Sequence, residues 1–385
     1  MNVPFYRLEL SEDEIKEVND TLRSGWIGTG PKTKKFEEEF KKFIGSEYAL
    51  AISSCTAGLH LSLIIYGIKN GDEVITTPLT FSATANVIVH TGAKPVFVDV
   101  ERETGNISPS HIESAISNRT KAIIPVHLYG MPCDMDKIME IAKRYGLKVI
   151  EDAAHALGAI YKGKKIGTIG DATSFSFYAT KNITTGEGGM LTTNDINIAE
   201  RVEIMRLHGL SRDAWKRYVE STGEHYEVLL PGFKYNLTDI QASIGIHQLR
   251  RFNELQKRRE EIWERYDEEF SGMEEIELLQ SVPPDGSSHS RHLYTILIKT
   301  EKLKVTRDEF VKELNKNGVG TGIHFVALHL HSFYREVHGY RRGMFPNAEY
   351  ISDRTISLPF FPYMKDEEVE YVIKTVKKVI LNTKK

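Results

Sequence analysis

The chain has 385 residues, 41% of them hydrophobic, enough for one large or two medium domains with a sizeable core. Its 50 basic and 53 acidic residues leave a formal charge of −3, which points to no nucleic-acid or membrane partner. Two distant cysteines, Cys55 and Cys133, give neither a disulfide framework nor a metal-ligand spacing, so no metal is expected and a reducing, cytoplasmic setting is. The opening MNVPFYRLELSEDE has no basic start followed by an apolar core, and no run reaches the roughly 18 apolar residues of a membrane span.

In chain order, FEEEFKKFIG (36–45) reads as a helix with Phe36, Phe40 and Phe43 on one stripe. YALAISS (48–54) reads as a strand, 56–67 as a helix, DEVITT (72–77) as a strand, and SATANVIVHTG (82–92) as a helix ending in glycine. PVFVDV (95–100) and KAIIPVH (121–127) read as strands, 134–146 as a helix, LKVIED (147–152) as a strand, and the start of FSFYATKNITTGEGGM (175–190) as another. This alternation predicts an α/β fold with a mostly parallel sheet covered on both faces, and ligands beyond the carboxyl ends of its strands.

Leu249, Phe252, Leu255, Ile262, Trp263, Tyr266 and Phe270 recur at helical spacing and predict one long helix over 239–270 that links two units. The expected division is a large domain over 1–249 and a smaller α/β domain over 250–385. In the second unit, SVPPDGSSHS (281–290) reads as a loop, HLYTILIK (292–299) as a strand, 306–317 as a helix, and the tail as an amphipathic helix.

Four features carry chemistry. Asp152, in EDAAHALGA, is delivered to a strand's carboxyl end, with His155 three residues on. It either caps the next turn or pairs with a cationic group such as a protonated ring nitrogen. SSCTAGLHLSL (53–63) places hydroxyls and free backbone amides where a helix begins after a strand. That reads as a helix cap or as a phosphate cradle, to which Thr56 and Ser176 could add hydroxyls. Phe81, after another strand, is a core residue or a platform for a planar ligand. Lys181 lies between an aromatic strand and the glycines 186, 188 and 189. Taken singly each has a bland reading. On one strand-end rim together they describe a pyridoxal phosphate site in which the lysine holds the cofactor.

EDAAHALGA, GDATSFSFYATKN and GEGGM, with SGWIGTGP (24–31), VITTPLTFSATAN (74–86), KYNLTDIQASIG (234–245) and FPNAEYISDRTISLPFFP (345–362), resemble the DegT/DnrJ/StrS family of sugar aminotransferases over essentially the whole chain. KYNLTDI and VGTGIHF resemble its UDP-4-amino-4-deoxy-L-arabinose–oxoglutarate aminotransferase branch. The resemblance implies a fold-type-I, aspartate-aminotransferase-like homodimer with shared active sites. It implies amino transfer from L-glutamate, leaving 2-oxoglutarate, to a 4-keto sugar nucleotide, UDP-linked, for cell-surface polysaccharide or lipopolysaccharide synthesis.

By position, Lys181 would be the Schiff-base lysine, Asp152 the partner of the pyridine nitrogen, His155 the contact to the phenolic oxygen, and Phe81 the ring platform. Thr56, Ala57 and Ser176 would hold the phosphate, with Asn236 reaching it from the neighbouring subunit. Tyr178, His324 and His329 would face the sugar nucleotide. Cys55 stands where relatives often carry Gly or Ala, Phe81 replaces a frequent Trp, Tyr178 a common His or Asn, and Thr238 an arginine. Alternatives on the same fold are a sugar dehydratase, whose relatives carry histidine at the lysine position, and a regulator that binds cofactor without turnover. No G-x-G-x-x-G follows the first strand, against a nicotinamide dehydrogenase.

Overall fold

The computed structural model describes residues 1–211, 227–279, 283 and 285–385, so the loop expected over 281–290 lies partly outside the described residues. A seven-stranded sheet forms the larger layer. In chain order its strands are β1 (Tyr48–Ile52), β2 (Glu73–Thr76), β3 (Lys94–Phe97), β4 (Thr120–Ile124), β5 (Lys148–Asp152), β8 (Ala172–Ser176) and β9 (Gly189–Thr193), with a small hairpin of β6 (Ile160–Tyr161) and β7 (Lys164–Lys165) beside it. The spatial order is β1-β9-β8-β5-β4-β2-β3. The pairs from β8 through β5, β4 and β2 to β3 are parallel, and only β9 runs against its neighbours.

Strand periodicity sends adjacent side chains to opposite faces. Ile75, Ile123 and Val149 enter one core, with Phe36, Phe40 and Ile44 of α2 (Pro31–Ile44), while Val74, Ile124 and Ile150 enter another, with Leu59 and Leu63 of α3 (Cys55–Ile65) and Val87 and Ile88 of α4 (Ser82–His90). The sheet is therefore covered on both faces, and its strand ends are left as the open rim.

Ahead of the sheet, α1 (Glu12–Ser24) opens with a capping box in which the Ser11 hydroxyl accepts from the Glu14 amide and the Glu14 carboxylate accepts from the Ser11 amide. Helices α5 (Pro109–Ala115), α6 (Met135–Tyr145) and α7 (Ile196–Met205) complete the first half. The long helix expected over 239–270 is two helices, α8 (Asp239–Arg250) and α9 (Phe252–Phe270), broken at Arg251 with φ −96° and ψ 12°. Thr238, in place of a frequent arginine, caps α8 through a capping box with Gln241. Asp239 then caps a different helix. Its buried carboxylate accepts from the amides of Gly30 (2.7 Å), Lys32 (3.0 Å) and Thr33 (2.9 Å) and from the Thr33 hydroxyl (2.7 Å) at the start of α2, where no side chain of α2's own N-cap serves.

A separate core joins a three-stranded antiparallel sheet, β10 (Ile276–Glu277), β11 (Thr295–Ile298) and β12 (Thr355–Ser357), to α9, α10 (Arg307–Lys316) and the terminal helix, with the short α11 (Ser332–His338) and α12 (Pro346–Ser352) preceding α13 (Asp366–Thr383). The chain's start belongs to this second core. Val3 is buried in it and bridges to Val319, and Arg7 pairs with Glu368 at 2.9 Å. That return brings Phe5 to the rim between the cores. No helix among the described residues is long and apolar enough to cross a membrane.

Candidate active site

At the carboxyl ends of β1, β2, β5 and β8 lies a cavity of ≈ 590 Å³, closed on its far side by residues 292–293 and 323–325 of the second half. Lys181, Asp152, His155, Thr56, Ser176, Phe81, Tyr178 and His324 all line it. Residues scattered over 250 positions of sequence thus meet because the parallel strands end on one rim.

Ser176 ends β8, and the chain then turns so that the Lys181 amide donates to the Tyr178 carbonyl at 2.9 Å. This turn presents the Lys181 amine to the cavity. Burial pushes its pKa down to about 8, against a pull upward from the Cys55 and Asp152 side chains. Roughly a tenth of such an amine is neutral at pH 7, against well under a thousandth for an ordinary lysine.

Asp152, the last residue of β5, is buried. Its Oδ2 accepts from the Thr84 hydroxyl at 2.7 Å, and its Oδ1 from the Ala154 amide at 3.1 Å and the Cys55 thiol at 3.7 Å. A carboxylate held this way stays aimed at the cavity and is suited to a cationic ring N–H.

His155 is buried, and its Nδ1 accepts the amide of Tyr129 at 3.3 Å. Tyr129 reaches it from a left-handed conformation, φ +56°, followed by Gly130 at φ +108°, where an added Cβ would strike the Ser290 hydroxyl. An Nδ1 that accepts leaves the proton on Nε2. Burial, and then the charges of Lys181 and His324, hold the ring well below the usual histidine range, so it is neutral. The His155 ring lies parallel to Phe325 (centroids 6.0 Å apart, 9°) and tilted on His292 at 4.5 Å. The Nδ1 of His292 bonds Oδ1 of Asn182, the residue after Lys181, at 2.9 Å.

The start of α3 is the electropositive corner. The Ser54 hydroxyl accepts from the Ala57 amide at 3.1 Å, so that amide is taken, and Ala57 does not line the cavity. The amides of Cys55 and Thr56 have no partner among the described residues, and the Thr56 and Ser176 hydroxyls stand beside them on the cavity wall. Gly189 lets β9 pass beneath this corner, because a Cβ there would come within 2.7 Å of the Cys55 nitrogen.

Phe81, at the N-cap position of α4, keeps 61% of its surface exposed, with its ring 6.2 Å from that of Phe325. Tyr178 is likewise exposed on the rim. His324 is fixed by the Ser357 hydroxyl at 2.8 Å and by the Phe5 ring at 5.6 Å, and burial and the Lys181 charge lower its pKa to about 4. His329 is the exception among the expected residues. It is fully buried outside the cavity lining, with Nε2 on Glu349 at 2.9 Å and its ring against Phe345, so it is a packed histidine. Asn236 does not line this chain's own cavity, and its amide donates to the Thr29 hydroxyl.

Residues 8–377 match the model of the DegT/DnrJ/EryC1/StrS aminotransferase family. The chain belongs to this family. It is 58% identical over 378 residues to the uncharacterized protein MJ1066 of Methanocaldococcus jannaschii, covering 98% of this chain and 97% of that one. It is 48% identical over 379 residues to the spore coat polysaccharide biosynthesis protein SpsC of Bacillus subtilis, covering 98% and 97%. The PLP-form structure of the putative sugar aminotransferase Spr1654 from Streptococcus pneumoniae is similar with a TM-score of 0.91 at 36% identity, covering 99% of each chain.

The fold is thus fold-type I, and the chain is a pyridoxal-phosphate-dependent sugar aminotransferase. The cavity's own chemistry fits the cofactor: two amides with no partner among the described residues, beside the Thr56 and Ser176 hydroxyls, for a phosphate, a buried carboxylate for a ring nitrogen, an exposed phenylalanine, and an amine with a lowered pKa. Phe5, Thr84, Tyr129, His292 and Phe325 were not singled out from the sequence. Their parts arise from contacts that span 26 (Tyr129 to His155) to 319 (Phe5 to His324) positions of sequence, to which local spacing is blind.

Proposed function

We propose that this aminotransferase moves the amino group of L-glutamate to the keto carbon of a 4-keto sugar nucleotide, UDP-linked, and does so as a homodimer with shared sites. The pathway would be synthesis of a cell-surface polysaccharide or lipopolysaccharide sugar. The observation that carries this reading is the buried-side lysine amine, Lys181, lowered to about 8 within one cavity with Asp152 and a neutral His155.

When bound, pyridoxal phosphate supplies an aldehyde for amine exchange and a ring that takes up the electrons left at carbon when a proton departs. The chain supplies the rest. Lys181 would hold the cofactor at rest and, once the incoming amine has displaced it, its neutral amine would be free to take the proton from the glutamate α-carbon and give it back, as base and then acid. Asp152 would pair with the ring nitrogen of a bound cofactor and favour its protonated form. His155, with its proton on Nε2, would donate to the phenolic oxygen. The Cys55 and Thr56 amides, with the Thr56 and Ser176 hydroxyls, bind the phosphate at the positive end of α3. Phe81 would offer its exposed face to the ring. Tyr178 and neutral His324 border the space left for the second substrate.

The relative named for spore coat polysaccharide synthesis supports a cell-surface sugar, and the structural neighbour PseC of Helicobacter pylori is described as an aminotransferase of pseudoaminic acid biosynthesis. Lysine at position 181, where the dehydratases carry histidine, favours transfer over dehydration.

The test is a half-reaction. The protein reconstituted with pyridoxal phosphate and given L-glutamate alone should release one equivalent of 2-oxoglutarate per site with a change in cofactor absorption. One member of a panel of 4-keto sugar nucleotides should then reverse the change. No 2-oxoglutarate with glutamate would contradict the donor, and reversal by none of the panel would contradict the acceptor class.

A further inference from the structure

Asp152 does not hold itself in place. Of the bonds to its carboxylate, the shortest is from a side chain that lies below the cavity wall. Thr84, in the first turn of α4, is fully buried and donates its only hydroxyl proton to Asp152 Oδ2 at 2.7 Å, across 68 positions of sequence. The Thr84 oxygen is 2.9 Å from that of Thr80, itself 2% exposed and on the cavity wall. Proton accounting fixes the direction. A carboxylate only accepts, so Thr84 donates to Asp152, and Thr80 must donate to Thr84. The relay Thr80→Thr84→Asp152 runs along one side of α4's first turn, and Phe81 leaves the same turn toward the cavity.

We infer that Thr84, with Thr80 behind it, is the positioning residue that keeps the Asp152 carboxylate aimed at a ring nitrogen in the cavity. Among the described residues Oδ1 has one backbone amide and a long thiol contact and Oδ2 has Thr84, so without that hydroxyl Oδ2 of a buried side chain keeps no described donor. A buried carboxylate in that state takes up a proton or swings to a new partner. The same α4 turn would then couple two properties of the site, the ring platform at Phe81 and the orientation of the charge opposite the ring nitrogen. This deepens the reading above and rests on it.

The test uses the full-length apo-protein and equilibrium binding of two probes, pyridoxal phosphate and its analogue with carbon in place of the ring nitrogen. Wild type should prefer the nitrogen-bearing probe. Thr84→Val should weaken that probe about tenfold and the carbon analogue by less than about twofold, because the hydroxyl acts through the charge on Asp152. Thr84→Ser should restore the lost affinity. Equal losses for both probes, or no loss for either, would overturn the inference and leave the site reading standing. A wild type with no preference between probes would instead overturn the pairing of Asp152 with the ring nitrogen, and the inference with it. Should Thr84→Val not fold, Thr80→Val decides: a loss confined to the nitrogen-bearing probe supports the relay, and a shared or absent loss overturns it.

Discussion

The amide of Tyr129 donates to Nδ1 of His155 at 3.3 Å, from a backbone conformation that a non-glycine residue seldom takes. That one bond decides which ring nitrogen carries the proton. In the ¹⁵N spectrum of the histidine-labelled apo-protein, His155 should show the Nε2–H tautomer and no titration from pH 6 to 8, since burial, Lys181 and His324 keep it well below the usual range. His155→Phe should keep the fold and lose roughly 10²-fold in turnover, the order seen when one positioned donor is removed. A resonance that titrates near 6.5 would contradict the assignment.

Lys181 should set the pH dependence of cofactor uptake. Burial lowers its pKa to about 8, below the 10.5 of an ordinary lysine. The rate at which apo-protein captures pyridoxal phosphate should therefore rise with pH, reach half its maximum near pH 8 and level off about one unit above. Stability follows the same sign. The unfolded chain binds more protons than the folded one between about 8 and 10.5, so the apo-protein gains stability as pH rises through that window. Lys181→Met should abolish both trends, measured by stopped-flow absorption and by urea unfolding. A capture rate still climbing steeply at pH 10 would contradict the lowered value.

Asp152→Asn preserves shape but cannot hold a proton on a ring nitrogen. Its melting temperature should stay close to wild type while kcat falls by roughly 10² or more, the loss expected when preorganised charge is removed. Unchanged kcat would contradict the role.

Asp239 predicts a stability effect far from the chemistry. Asp239→Ala leaves three amides and a hydroxyl at the start of α2 without their acceptor. Each buried donor so abandoned costs on the order of 1–3 kcal/mol, partly recovered by water, so a net loss of about 3 kcal/mol is expected in denaturant unfolding. A loss under about 1 kcal/mol would show that α2 does not depend on this cap.

The strands were legible because each is a short apolar run ended by a turn residue, and Asp152, His155 and Lys181 were legible because strand ends are where such sheets bind ligands. The break at Arg251 was not. Leu249, Phe252 and Leu255 keep their helical spacing across it, and no proline or glycine marks it. Strand β9 was read only as a glycine turn, since its antiparallel course depends on pairing with β1 and β8. Helix α1 did carry a local signal, Ser11 with Glu14 three residues on. His329 looked equal to His324 by position, and the difference lies in Glu349, which binds one and not the other.

A single amine, that of Lys181, should carry the cofactor. Reconstituting the protein with pyridoxal phosphate, reducing with borohydride and sequencing the digested peptides tests it most directly. One labelled peptide containing Lys181 is the predicted result. A label on any other lysine, or no label at all, would contradict it.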